Sequence, residues 1–216
     1  MIKVKASYFK AASICMSTNA ERYYLNGVFI EPCAAGGVIL TATDSCKLVC
    51  IHDKDGECDD PAIVGPPKGA LKDSIPEGHI VVKDDGLFRH GEFISQKPVV
   101  IGGRYYPDYR KIVVEAQREG FGHGTAPAID AKHLSCFGKV AAILKGLQNQ
   151  SVPLRIIYGA KGDPALVSLG VANAFGLVMP MLADAPPEKY DWFIAGPAKP
   201  KQEKAAQEKK SRLANK

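Results

Sequence analysis

No stretch of the 216 residues approaches the roughly 18 consecutive apolar residues that a membrane-spanning helix needs. The opening residues Met1-Ile2-Lys3-Val4-Lys5 hold no long apolar run of the secretory kind, so the expectation is a cytoplasmic protein. Motifs of catalysis are also scarce: there is no glycine-rich phosphate loop, nucleophile elbow or paired-histidine helix. That leaves one thin catalytic candidate, Cys136 near His133 and Asp130, and Asp130 is better explained as the cap of a helix. The chain therefore reads as a binding protein and not as an enzyme.

Metal chemistry is thinly supported too. Among six cysteines (Cys15, Cys33, Cys46, Cys50, Cys58 and Cys136) no CxxC pair occurs. The cluster Cys46, Cys50, His52 and Cys58 invites a zinc reading, but Cys46 and Cys50 fall in an extended stretch, where a four-residue offset spans about 13 Å. Reduced, partly buried thiols are the better reading, with no metal and no cofactor expected. Excess charge is equally localised. The chain carries +5, yet residues 186–216 hold eight basic and four acidic residues, so the body is nearly neutral. A basic pI here reports a tail, and net charge alone is a weak argument for nucleic-acid binding.

What is present is a globular composition, 46% hydrophobic and 24% charged, in a chain long enough for one large domain or two small ones. Hydrophobic patterning predicts a strand at 2–6, a helix at 7–17, and strands at 23–31, 38–43 and 47–52. The order then repeats: a strand at 62–64, a short helix at 68–74, and strands at 79–83, 87–90 with 93–94, and 99–101. A third pass follows a glycine-rich linker at 118–124, with a strand at 126–129 and a helix at 131–147. Asp130 caps that helix, and Leu134, Phe137, Ala141 and Leu144 share one face. Strands at 154–158, 165–169 and 175–179 complete it. The expected fold is α+β, built from three βαβββ units with antiparallel sheets and helices on one face. Beyond 182 the prolines at 186, 187, 197 and 200 and the charged run 201–216 predict a flexible basic tail. An apolar island, Tyr190, Trp192, Phe193 and Ile194, precedes that run.

Three segments carry a resemblance. Glu21-Arg22-Tyr23-Tyr24-Leu25-Asn26-Gly27-Val28, followed by Leu40-Thr41-Ala42-Thr43-Asp44-Ser45-Cys46-Lys47-Leu48, resembles the RYYLNG and ATDGHRLA segments of the middle domain of bacterial DNA sliding clamps, the beta subunits of DNA polymerase III. Tyr106-Pro107-Asp108-Tyr109-Arg110-Lys111-Ile112 is similar to FPDYRRV at the end of that domain. Leu177-Val178-Met179-Pro180-Met181-Leu182 is similar to the VVMPMRL that ends clamp chains. The three occur in the family's order. This chain departs from the pattern in having Ser45-Cys46-Lys47 for Gly-His-Arg and Leu182 for the terminal arginine.

The resemblance implies a division into a middle-type clamp domain at 1–112, a C-terminal clamp domain or half domain at 113–185, and the tail at 186–216. It also implies a hydrophobic pocket for short peptide motifs of polymerases and other replication proteins. By motif its lining is Leu25, Thr43, Ser45, Lys47, Leu48, Pro107, Lys111, Ile112, Leu177, Val178, Met179, Pro180 and Met181. An apolar concavity with few polar groups suits leucine or phenylalanine anchors, and thioethers adapt to several partners. Lys47 and Lys111 are placed to steer acidic positions of a motif. Without the resemblance, Leu25, Leu48, Ile112, Val178 and Met179 read as core.

The implied function is a processivity factor that encircles duplex DNA as a homo-oligomeric ring, touching phosphates and not bases, with a clamp loader as a further partner. Implied DNA contacts are Lys10, Lys68, Lys72, Lys132 and Lys139 on the helices, with Arg22, Tyr23 and Tyr24. Three units per chain leave two ways to a twelve-unit ring: four chains, or three if 113–182 form a compressed full domain. A clamp-like adaptor or competitor that binds peptides without forming a ring is the alternative.

Overall fold

A computed structural model describes residues 1–66, 77–83, 86–89, 92–95, 99–118, 128–147, 150, 152–158 and 162–181. The predicted helix at 68–74, with Lys68 and Lys72, and the whole tail lie outside the described residues. Residues 1–182 form one compact unit.

In chain order the elements are β1 (Ile2–Lys5), α1 (Ala6–Ser13), β2 (Val28–Pro32), β3 (Val38–Thr43), β4 (Lys47–Asp53), β5 (Glu57–Cys58) and β6 (Ala62–Gly65). They continue as β7 (His79–Lys83), β8 (Gly86–Arg89), β9 (Glu92–Ser95), β10 (Val99–Gly102) and α2 (Tyr109–Arg118). Last come α3 (Ala131–Leu144), β11 (Arg155–Ile157), β12 (Ala165–Ser168) and β13 (Ala174–Val178). Among the described residues two sheets result, ordered β5-β1-β7-β8-β9 and β10-β6-β2-β3-β4-β13-β12-β11, with every pairing antiparallel. The α+β class and the antiparallel sheets stand as expected.

The larger sheet is apolar on both faces, and strand alternation sorts its residues between them. One face carries Val28, Ile30, Leu40, Ala42, Val49, Ile51, Ala174 and Val178 against Phe9 and Ala12 of α1 and Phe137, Val140 and Ala141 of α3. The other carries Phe29, Leu48, Cys50, Ile63 and Leu177, covered by Leu25, Tyr106 and Tyr109. The two helices also pack on each other. α3 starts as the sequence indicates, with the Asp130 carboxylate accepting the Lys132 amide at 2.8 Å. α1 has no side-chain cap of its own. The buried Asp53 carboxylate accepts the Lys5 amide at 2.7 Å instead, so β4 holds the start of this helix.

Two glycines are required by close approach. Gly37, at φ +72, turns the β2–β3 hairpin, and a Cβ there would meet the Asp53 carbonyl oxygen at 2.2 Å. Gly176 of β13 lies under the Phe137 ring, with a hypothetical Cβ 2.3 Å from Cε1. An aromatic ring buried to 0% exposure cannot swing aside cheaply. Gly176→Ala is therefore expected to lower stability by about 2 kcal/mol, read from the urea midpoint, by lifting α3 off the sheet.

Several elements differ from expectation. The strand expected at 23–31 begins only at Val28, and Ala20–Leu25 forms a 3₁₀ turn. The Asn19 side chain accepts the Glu21 amide at 2.9 Å and starts that turn, a local bond that competes with extension. The segment at 109–118 folds as α2, a helix the patterning missed. Of the strand expected at 126–129, the described part makes a single bridge, Ala128 to Met181. The linker at 119–124 lies outside the described residues.

Candidate functional site

The face turned away from α1 and α3 holds a concavity of about 210 Å³. Its lining comes from distant parts of the chain: Leu25 ends the 3₁₀ turn, Thr43, Ser45, Cys46, Lys47 and Leu48 form the β3–β4 turn, and Pro107, Tyr109 and Ile112 enter α2. Pro164 precedes β12, Leu177 lies in β13 and Met179 follows its end. Leu48 and Leu177 are direct cross-strand partners on the pocket floor. Ile112 and Met179 stay 44% and 40% exposed, so the rim offers apolar surface that the chain itself leaves uncovered.

α2 is fixed by aromatic contacts. Tyr106 stacks on Phe29 with ring centroids 4.5 Å apart, and Tyr109 meets Phe29 edge-on. The Tyr109 hydroxyl donates to the Glu31 carboxylate, which also accepts from Arg110 at 2.7 Å. Burial, with that carboxylate beside it, pushes the Tyr109 hydroxyl well above its ordinary range, so it stays a donor. A second hollow of about 430 Å³, lined by Ile39, His52, Val113 and Phe175 among others, shares Tyr109 with the first.

The β3–β4 turn is held by its own side chains. The Thr43 hydroxyl donates to the Lys47 carbonyl at 2.8 Å and accepts the Ser45 amide at 3.0 Å. The Asp44 carboxylate accepts the amides of Cys46 and Lys47 at 3.0 and 2.9 Å and is ion-paired with the Lys47 ammonium. Burial pushes the Asp44 carboxyl up, but the Lys47 side chain and the two amides outweigh it and hold the group below the usual carboxylate range. Burial likewise lowers the Lys47 ammonium, and the bond to Asp44 more than reverses that. Ser45 adopts φ +82, among the described residues the one non-glycine in the left-handed region. Its hydroxyl accepts from the Arg22 guanidinium. This is the position where the clamp motif has glycine, and the backbone explains why. Ser45→Gly is expected to raise stability by about 0.5–1 kcal/mol, observable as a higher urea midpoint, because glycine adopts this conformation without steric cost.

Of the thirteen residues named from sequence, nine line the concavity: Leu25, Thr43, Ser45, Lys47, Leu48, Pro107, Ile112, Leu177 and Met179. Val178 is fully buried on the opposite face under the helices. Lys111 is exposed outside the lining, 3.3 Å from Asp108. Pro180 and Met181 lie past the end of β13 and outside the lining, with Met181 bridged to Ala128. The steering role read for Lys47 does not fit its geometry, since its side chain is 8% exposed and its ammonium is paired with Asp44. Sequence reading missed Cys46, Tyr109 and Pro164.

Lys132 and Lys139 are exposed on α3, on the side away from Phe137 and Val140, and Lys10 is half-buried in the last turn of α1. Arg22 and Tyr23 are exposed and Tyr24 half-buried in the 3₁₀ turn, with Arg22 tied to the pocket rim through Ser45. The zinc cluster does not assemble: among the described residues no three His, Cys, Asp or Glu groups gather closely enough to hold a metal. Burial pushes the Cys50 thiol up to about 12, which keeps it protonated. Among the described residues no helix is long and apolar enough to cross a membrane.

No protein-family model matches the chain, and no curated protein does. Solved structures match it. The DNA polymerase III beta subunit of Thermotoga maritima superposes with a TM-score of 0.53 at 10% identity, over 87% of this chain and 66% of that one. The sliding clamp of Bartonella birtlesii, bound to griselimycin, gives 0.54 at 16% identity over 84% and 66%. A DNA polymerase sliding clamp of Pseudomonas aeruginosa gives 0.54 at 18% identity over 84% and 65%. The chain has the sliding-clamp fold, and it spans about two thirds of the length of these clamps.

Proposed function

We propose, from the clamp fold, that this protein is a DNA sliding clamp: a polymerase processivity factor that encircles duplex DNA as a homo-oligomeric ring and receives partner peptides in the concavity. The observation that carries the reading is the convergence of three separated clamp-like segments on one apolar hollow. A core would need those side chains closed off from solvent, yet Ile112 and Met179 stand open at its rim. Residues 1–112 then serve as a middle-type clamp domain and 113–185 as a C-terminal domain or half domain. The protein's work is binding, not catalysis, and its partners are duplex DNA, polymerase and related clamp-binding proteins, and a loader.

On this reading the DNA faces α1 and α3, while peptides bind on the other side of the sheet. Lys10, Lys132 and Lys139 supply charge to the phosphates, and binding should ignore sequence and weaken with salt. The double replacement of Lys132 and Lys139 by alanine is expected to make the slope of log affinity against log salt shallower, by about 0.9 for each phosphate no longer neutralised. Fluorescence anisotropy with two unrelated duplexes measures it. An unchanged slope, or strong preference for one duplex, would contradict the assigned DNA face.

A further inference from the structure

The first two repeats close on each other reciprocally. β1, the opening strand of the first, pairs with β7 of the second, Ile2 opposite Val82 and Val4 opposite Ile80. β6, the opening strand of the second, pairs with β2 of the first, Val28 opposite Val64 and Ile30 opposite Ala62. Each repeat lends its opening strand to the other's next strand, the pattern that a two-fold axis between them generates.

The third repeat has the same parts in the same places. Asp130 caps α3 as Lys5 precedes α1, so Ala128 and Ile129 correspond to Lys3 and Val4. Lys3 faces Glu57 of β5 on one side and Val81 of β7 on the other. Ala128 has the counterpart of the first pairing, its bridge to Met181. Among the described residues it has no counterpart of the second. β11 stands where β2 does, but among the described residues its ladder partner is β12 alone. Among the described residues the core is less closed in the same place. Val4, Phe9, Val28 and Ile30 are each 0% exposed, whereas Ile129, Leu134, Leu154 and Ile156 are only partly buried. An edge unpaired among the described residues and carrying one charge, Arg155, between apolar neighbours is a template for pairing.

We propose that the third repeat of a second copy of this chain completes this one. Ala128 and Ile129 of each copy add as a strand to β11 of the other, and Ile129, Leu154 and Ile156 of both copies close a shared core. The third repeat carries both the donor strand and the acceptor edge, so it is complementary to itself through a two-fold axis. The chain's own tail laid on β11 would leave the Ala128 edge open, and so fits less well. The proposal deepens the ring reading by naming one copy-to-copy interface within it. Its test reads strand protection, not DNA or peptide binding, so the two can fail separately.

The experiment is sedimentation velocity of the full chain over a concentration series, with amide hydrogen exchange at the same concentrations. The expected result is self-association in which protection at 128–129 and 154–158 rises with mass. Ile156→Asp is expected to weaken that association at least tenfold. A monomer at every concentration would overturn the proposal. So would an oligomer in which 154–158 exchange as in the monomer, or protection there that is already complete at the lowest concentration, as a covering tail would give. The exchange readout uses the unsubstituted chain, so it stands even where Ile156→Asp fails to fold.

Discussion

Met179→Glu is expected to weaken binding of a peptide with leucine and phenylalanine anchors by at least about tenfold while leaving the fold intact. Met179 lines the concavity and is 40% exposed, so its change perturbs bound ligand more than packing. Burying a methionine side chain is worth about 1.5–3 kcal/mol, and losing about 1.4 kcal/mol already weakens binding tenfold. A carboxylate facing the apolar anchors adds a desolvation penalty. Met181→Glu is the control. Met181 resembles Met179 in type and exposure but stands outside the lining, so its change should alter affinity less than threefold. Calorimetric titration separates the two, and equal losses at both positions would move the site off the concavity.

Asp44→Ala is expected to destabilise the protein by about 2–3 kcal/mol. The Lys47 side chain is 8% exposed and the Asp44 side chain 22% exposed, so removing the acid leaves a largely enclosed cation without its partner. The amides of Cys46 and Lys47 lose their acceptor in the same step. Asp44→Ala combined with Lys47→Met should recover most of the loss, because no buried charge remains. The pH dependence follows from the lowered Asp44 value. A carboxyl held lower in the folded state contributes stability above its unfolded value and loses it as pH falls through the folded one. The gap between the parent and Asp44→Ala should therefore persist at neutral pH and close below the ordinary carboxylate value of 3.8. Urea midpoints across that range measure it.

Much of this site is written locally, in strand parity. Leu177 in β13 and Met179 just beyond its end alternate with Val178, so parity alone assigns the first two to the hollow and the third to the helix side. The motif resemblance runs through all three without that distinction and places Val178 in the lining. Asp44 preceding Lys47 by three residues is likewise visible, but only the turn's geometry brings the two together and removes Lys47 from ligand steering. Tyr109 is hidden because its place in the lining depends on α2, a helix that the hydrophobic patterning does not indicate. Pro164 cannot be read at all, since it reaches the hollow through the β4–β13 pairing, which joins remote segments. The helix α3 is legible to its cap because Asp130 and the apolar spacing agree.

Encirclement is a topological property, and retention on DNA tests it most directly. The protein, assembled on a nicked circular duplex, is separated from free protein by gel filtration at high salt and measured before and after one cut that linearises the circle. A sliding clamp stays with the circle through the salt wash and is released by the cut. Equal retention on circular and linear DNA, or none on either with the peptide site still active, would contradict the account and point to a clamp-like adaptor that binds peptides without enclosing DNA.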